Sequence, residues 1–113
     1  MPFIDLKTTA KISADKEIAL KEALGKAIEC IPGKNESWLM ISFADEMRMW
    51  FKGTDEPCAM IEVKIFGSAD SEYYNNMTAV LCDIMEKELA VPKNRTYVKY
   101  EEVSEWGWNG GNF

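Results

Sequence analysis

Inside a chain, proline offers no nitrogen that accepts a proton; at a chain end it is a secondary amine. Pro2 follows Met1 directly, and a methionine ahead of a small residue is commonly removed. Processing would leave Pro2 as a base, its pKa lowered wherever an apolar pocket disfavours the ammonium. A base poised near neutral pH suits proton transfer at a carbon beside a carbonyl. Lys34 follows the helix stop Pro32-Gly33 and could anchor a carboxylate as a point charge. Trp106, Trp108 and Phe113, separated by Gly107 and Gly110-Gly111, put large rings on a tail that reads as too flexible for a core element. Such rings build an apolar pocket wall or an intersubunit contact. The residues alone leave open a solvated lysine at Lys34 and a tail packed on its own domain.

Other chemistries are excluded by composition. The chain has no histidine, which removes His-based metal sites and Ser or Cys nucleophiles activated by histidine. Cys30, Cys58 and Cys82 are odd in number and far apart, so they form neither a disulfide framework nor a C-x-x-C site. No metal and no cofactor is implied. The net charge of −6 argues against nucleic acid and membrane surfaces as partners. There is no signal peptide and no apolar run of membrane-spanning length, so the expected compartment is reducing and cytoplasmic.

The elements that must position these residues follow from periodicity. Phe3–Leu6 alternates as a strand, which would fix the Pro2 amine to a rigid element. Ser13 reads as the N-cap of a helix carrying Leu20, Leu24, Ala27 and Ile31 on one stripe. Trp38–Phe43 reads as a strand, and Met47–Phe51 as a shorter one, joined to it in a hairpin across Ala44-Asp45-Glu46. Cys58–Phe66 is the clearest strand, with Ile61, Val63 and Ile65 facing one way. A second helix spans about Ser71–Leu89, with Met77, Val80, Leu81, Ile84 and Leu89 as its apolar face. Thr96–Val103 is a further strand.

The two halves resemble each other. Ile4-Asp5-Leu6-Lys7 matches Ile61-Glu62-Val63-Lys64, and Lys34-Asn35-Glu36-Ser37-Trp38 matches Lys93-Asn94-Arg95-Thr96-Tyr97. Each half is therefore strand, helix, strand. One domain over residues 1–113 is expected, with halves of about 1–53 and 54–113. The fold class is α+β: two pseudo-symmetric β-α-β units forming a four-stranded sheet with both helices on one face. No third helix is left to cover the other face, and self-association is the economical cover.

The chain resembles the macrophage migration inhibitory factor family of the tautomerase superfamily. The resemblance rests on Met1-Pro2-Phe3-Ile4, Gly33-Lys34, Glu56-Pro57-Cys58-Ala59, Asn94-Arg95-Thr96-Tyr97-Val98 and the end Trp106–Phe113. It implies a homotrimer with active sites at subunit interfaces and keto–enol tautomerisation of phenylpyruvate-type α-keto acids. Carried over by position, Pro2 is the catalytic base, Lys34 the carboxylate anchor and Phe66 a backbone contact to substrate. Tyr97 and Lys99 enter from the neighbouring subunit, while Trp38, Trp106, Trp108 and Phe113 form the aromatic wall. Lys99 stands where the family commonly has asparagine, which bears on recognition of a hydroxyl on the substrate ring; Phe66 where it has isoleucine and Trp106 where it has valine are expected to narrow the pocket. Ile61 replaces the second cysteine of a family Cys-Ala-Leu-Cys segment, so thiol–disulfide activity tied to that pair is not expected. The alternative function is a cytokine-like trimeric signalling or binding module with a vestigial pocket, secreted without a signal peptide and recognised by a protein receptor.

Overall fold

β1 (Pro2–Thr8) and β3 (Ala59–Phe66) alternate strictly between buried and half-buried residues, the period-two signature of a strand with one covered face. In the computed structural model, which describes all residues 1–113, these two strands pair antiparallel at the centre of the sheet. Pro2 lies opposite Ile65 and Ile4 opposite Val63. β2 (Met40–Ala44) runs parallel to β1, and β4 (Thr96–Val103) parallel to β3, giving the order β2-β1-β3-β4. A parallel neighbour requires a crossover, and α1 (Ala14–Ala27) and α2 (Ser71–Leu89) supply the two. The architecture is thus the expected pair of β-α-β units.

One core fills the space between sheet and helices. Ile4, Leu6, Ile61, Val63 and Ile65 meet Leu20, Leu24, Met77, Leu81 and Met85, all buried; each such side chain contributes about 1.5–3 kcal/mol. Cys58 is also buried and packs as a small hydrophobe. Ser13 caps α1, its hydroxyl accepting from the Lys16 N–H at 3.3 Å. α2 ends where Ala90 turns left-handed at φ 54° and the Val91 N–H reaches back to the Met85 carbonyl at 3.2 Å. Pro92 prevents continuation. No helix is long and apolar enough to cross a membrane.

Three segments depart from the sequence expectation. Trp38 is not in a strand: Asn35 accepts from the Ser37 N–H at 2.8 Å and closes a 3-10 turn over Glu36–Trp38, so β2 begins only at Met40. Met47–Phe51 forms neither strand nor hairpin with β2, because β2 makes its ladder with β1. The Glu46 and Met47 N–H groups instead bond the Ala10 and Thr8 carbonyls, each at 3.0 Å, with Glu46 left-handed at φ 51°. The tail, expected to be flexible, is a small hairpin of β5 (Gly107–Trp108) and β6 (Gly111–Asn112). Asn109 and Gly110 turn it with φ of 51° and 89°, both positive as a type I′ turn requires.

The sheet face without helices carries a charge network. Lys7 donates to Asp5 and, at 2.9 Å, to Glu62; Lys99 pairs with Glu62 and Glu101, both at 3.1 Å. Ser42 donates to Asp5 at 2.9 Å. The hydrogen bonds from Lys7 and then Lys99 hold the Glu62 carboxyl down to about 2.

Candidate active site

The start of β1 places Pro2 against the end of β3. Pro2 is buried, and the Met1 carbonyl of the Met1–Pro2 amide accepts from the Phe66 N–H at 3.0 Å. Lys34 reaches the same point from the opposite side: its Nζ donates to the Phe66 carbonyl at 3.0 Å. The loop holding Lys34 is set by Gly33 in the left-handed region, φ 80°, and by the Lys34 N–H bonding the Ile31 carbonyl at 3.1 Å. Glu36, two residues on, lies against Gly25 of α1, where a Cβ would stand 2.3 Å from its Oε2. Lys21 closes that contact from 3.2 Å. Glycine in the helix therefore lets the loop dock.

A cavity of about 590 Å³ opens beside this point. Pro2, Phe3, Trp38, Trp106 and Trp108 line it, with Met1, Leu39 and Met40, and Ser37 is the one side-chain hydroxyl in the wall. Trp38 and Trp108 meet edge to face, centroids 5.1 Å apart. Phe113 stacks parallel to Trp108 at 6.3 Å and lies 5.3 Å from Phe66. Its N–H bonds the Trp106 carbonyl at 3.1 Å, which locks the tail hairpin over the cavity. An aromatic wall with one cationic corner accepts a flat apolar body ending in an anion.

The terminal amine beside that corner, on Met1, is easier to deprotonate than an ordinary α-amine. Burial lowers its pKa first, and the nearby Lys34 charge lowers it further. Both effects would act on a Pro2 amine freed there as well, since burial and a neighbouring cation each disfavour the charged form.

Two of the site residues expected from the sequence lie elsewhere on the subunit. Tyr97 starts β4, paired with Met60, whereas Phe66 pairs with Val103 at the other end. Six residues of strand separate those ends, about 20 Å, so Tyr97 does not reach the cavity of its own chain. It is 60% exposed. Lys99 follows on the same strand, held by Glu62 and Glu101. One subunit thus brings together Pro2, Lys34, Phe66, Trp38, Trp106, Trp108 and Phe113 and leaves Tyr97 and Lys99 outside. Met1, Phe3, Leu39 and Met40 also line the cavity and were not singled out by sequence.

Comparison with known proteins matches the whole chain, residues 1–113, to the family model described as macrophage migration inhibitory factor (MIF). The crystal structure of Leishmania major MIF2 superposes with a TM-score of 0.93 at 30% identity, covering 100% of this chain and 97% of that one. The macrophage migration inhibitory factor homologue from Prochlorococcus marinus gives 0.89 at 32% identity, with 98% of each chain covered. Macrophage migration inhibitory factor of Xenopus laevis is 28% identical over 115 residues, 100% of this chain and 99% of that protein.

Proposed function

The chain belongs to the macrophage migration inhibitory factor family, and on that premise we propose that it is a keto–enol tautomerase of phenylpyruvate-type α-keto acids with Pro2 as catalytic base. The observation that carries this reading is the convergence at Phe66. Its N–H is bonded to the Met1 carbonyl and its carbonyl to Lys34, beside the Pro2 nitrogen and the aromatic cavity. Removal of Met1 creates the secondary amine and, in the same step, leaves the Phe66 N–H without its acceptor. An unpaired donor there costs about 1–3 kcal/mol, which a substrate carboxylate recovers by accepting from Phe66 N–H and Lys34 Nζ together.

In the reaction the neutral Pro2 amine takes a proton from C3 of the α-keto acid. The C3–H bond breaks, an N–H bond forms, and C2=C3 forms as the carbonyl π electrons move to oxygen. The oxygen then takes that proton back from the Pro2 ammonium, which restores the neutral amine, and the enol leaves. Lys34 stabilises the negative charge that spreads toward the carboxylate end. The tryptophan wall gives the amine an apolar surround, which favours its neutral form.

The working assembly in this reading is a homotrimer, in which Tyr97 and Lys99 of each subunit complete a neighbour's site. Three independent subunits would each leave the cavity short of those two side chains. The test is turnover of phenylpyruvate by protein whose intact mass shows Met1 removed, compared with Pro2→Gly. Loss of most activity with the oligomer retained supports the reading; equal turnover by Pro2→Gly defeats it.

A further inference from the structure

Arg95, in the turn Lys93–Arg95 ahead of β4, directs its whole guanidinium at the backbone of the loop from residue 51 to 57. Nε donates to the Pro57 carbonyl at 2.9 Å and Nη1 to the Phe51 carbonyl at 3.1 Å. Nη2 donates to the Thr54 and Glu56 carbonyls at 3.2 and 3.0 Å. All four acceptors are main-chain oxygens, and the guanidinium lies over the Phe51 ring, 5.2 Å from its centroid. Only arginine has a planar fork of donors that fits such a set; a lysine ammonium is a single point.

The loop is stiff where Phe51 sits. Phe51 and Thr54 exchange both backbone hydrogen bonds, at 2.9 and 3.1 Å, across a two-residue turn with Lys52 at φ 54° and Gly53 at φ 79°. The Phe51 ring meets Tyr97 edge to face, centroids 4.8 Å apart and planes 80° apart. Tyr97 is otherwise open to solvent, so the ring that anchors it sits on a backbone that Arg95 ties down.

We propose that Arg95 and Phe51 are positioning residues: Arg95 fixes Phe51, and Phe51 holds the Tyr97 ring in the orientation in which it enters the adjacent subunit's pocket. This rests on the reading above, in which Tyr97 completes a neighbour's site. An exposed tyrosine loses rotamer freedom when a ligand orders it; a ring already held avoids that loss and binds substrate more tightly.

The test is steady-state kinetics on phenylpyruvate with full-length, Met1-processed protein, with melting temperature and oligomeric mass recorded for each variant. Phe51→Leu should raise KM about two- to tenfold, the size of an edge-to-face aromatic contact, with kcat within about twofold. Phe51→Tyr, which keeps the ring, should restore KM, and Arg95→Lys should behave as Phe51→Leu. In a Tyr97→Ala background the Phe51→Leu change should shrink below about 1.5-fold, because the two residues act as one unit. Equal effects of Phe51→Leu in both backgrounds, an unchanged KM in Phe51→Leu, or an unchanged KM in Tyr97→Ala overturns the proposal while the tautomerase reading stands. No turnover by the unmutated protein, or full turnover by Pro2→Gly, overturns the tautomerase reading and this proposal with it.

Discussion

Lys34 and Phe66, 32 positions apart in the chain, meet through a 3.0 Å hydrogen bond from the lysine ammonium to the phenylalanine carbonyl. This bond brings the loop after α1 onto the end of β3, where the Met1 carbonyl also binds. A cation is thereby held next to Met1, which lines the aromatic cavity, without a carboxylate to neutralise it. Its charge is left to act on whatever amine and anion share the corner.

Replacing Lys34 by alanine should show both actions. Losing a charge-assisted hydrogen bond to the substrate, about 1.5–3 kcal/mol, should raise KM for phenylpyruvate roughly ten- to a hundredfold. The pH profile of kcat/KM should move as well. The Lys34 charge lowers the pKa of the Met1 amine beside it, and a Pro2 amine freed in the same corner would feel the same charge, so removal of Lys34 should raise the pKa of the base. The acid limb of the profile then shifts to higher pH. A limb that stays in place would separate Lys34 from the amine.

Glu62 should govern part of the acid stability. Its carboxyl titrates near 4.5 when unfolded and near 2 when folded, a depressed value. Its contribution is therefore complete above pH 4.5 and is lost as pH falls from there through about 2. With Lys7 and Lys99 as partners on a partly solvated face, Glu62→Gln should cost about 1 kcal/mol at neutral pH. Urea denaturation at a series of pH values should show the two proteins converging toward pH 2. A constant difference across that range would mean that the effect comes from packing.

The tail hairpin should depend on Gly110. A Cβ there meets nothing within 4 Å, but φ is +89°, which an L side chain adopts only with strain of about 1–2 kcal/mol. Gly110→Ala should loosen the hairpin that carries Trp108 and Phe113 while the main core is untouched. Tryptophan fluorescence should report a more exposed Trp108, and KM should rise with little change in melting temperature. A large fall in melting temperature instead would show the tail to be part of the core.

The elements with strong periodicity were legible residue by residue. Ser71–Leu89 and Thr96–Val103 appear with the limits read from the sequence, and Ser13 caps α1, because burial of one face and a local cap are written in neighbouring residues. The same holds for the β-α-β repeat, since strand, helix and strand each declare their buried side and the crossover rule then leaves few ways to join them. Met85 escaped notice beside the recognised stripe of α2 but is fully buried; a helix of nineteen residues presents a wider face to the core than one stripe.

The site was legible in its residue types and not in its arrangement. Pro2, Lys34 and the tail rings were identifiable as chemistry-bearing groups, yet nothing local says that the Met1 carbonyl and Lys34 would meet on the two sides of one peptide at Phe66. The turn at Trp38, the diversion of Met47–Phe51 and the clamp of Arg95 on four carbonyls were equally hidden. The last two depend on hydrogen bonds between residues tens of positions apart, such as Met47 to Thr8 and Arg95 to Phe51, while the turn at Trp38 is a local Asn35–Ser37 bond that strand propensity masked. The sequence by itself determined which faces must be buried, because hydrophobic periodicity is a local property. Tertiary structure alone decided where the irregular segments lie, because backbone groups outside helices and ladders take whichever partner the packed fold brings within reach.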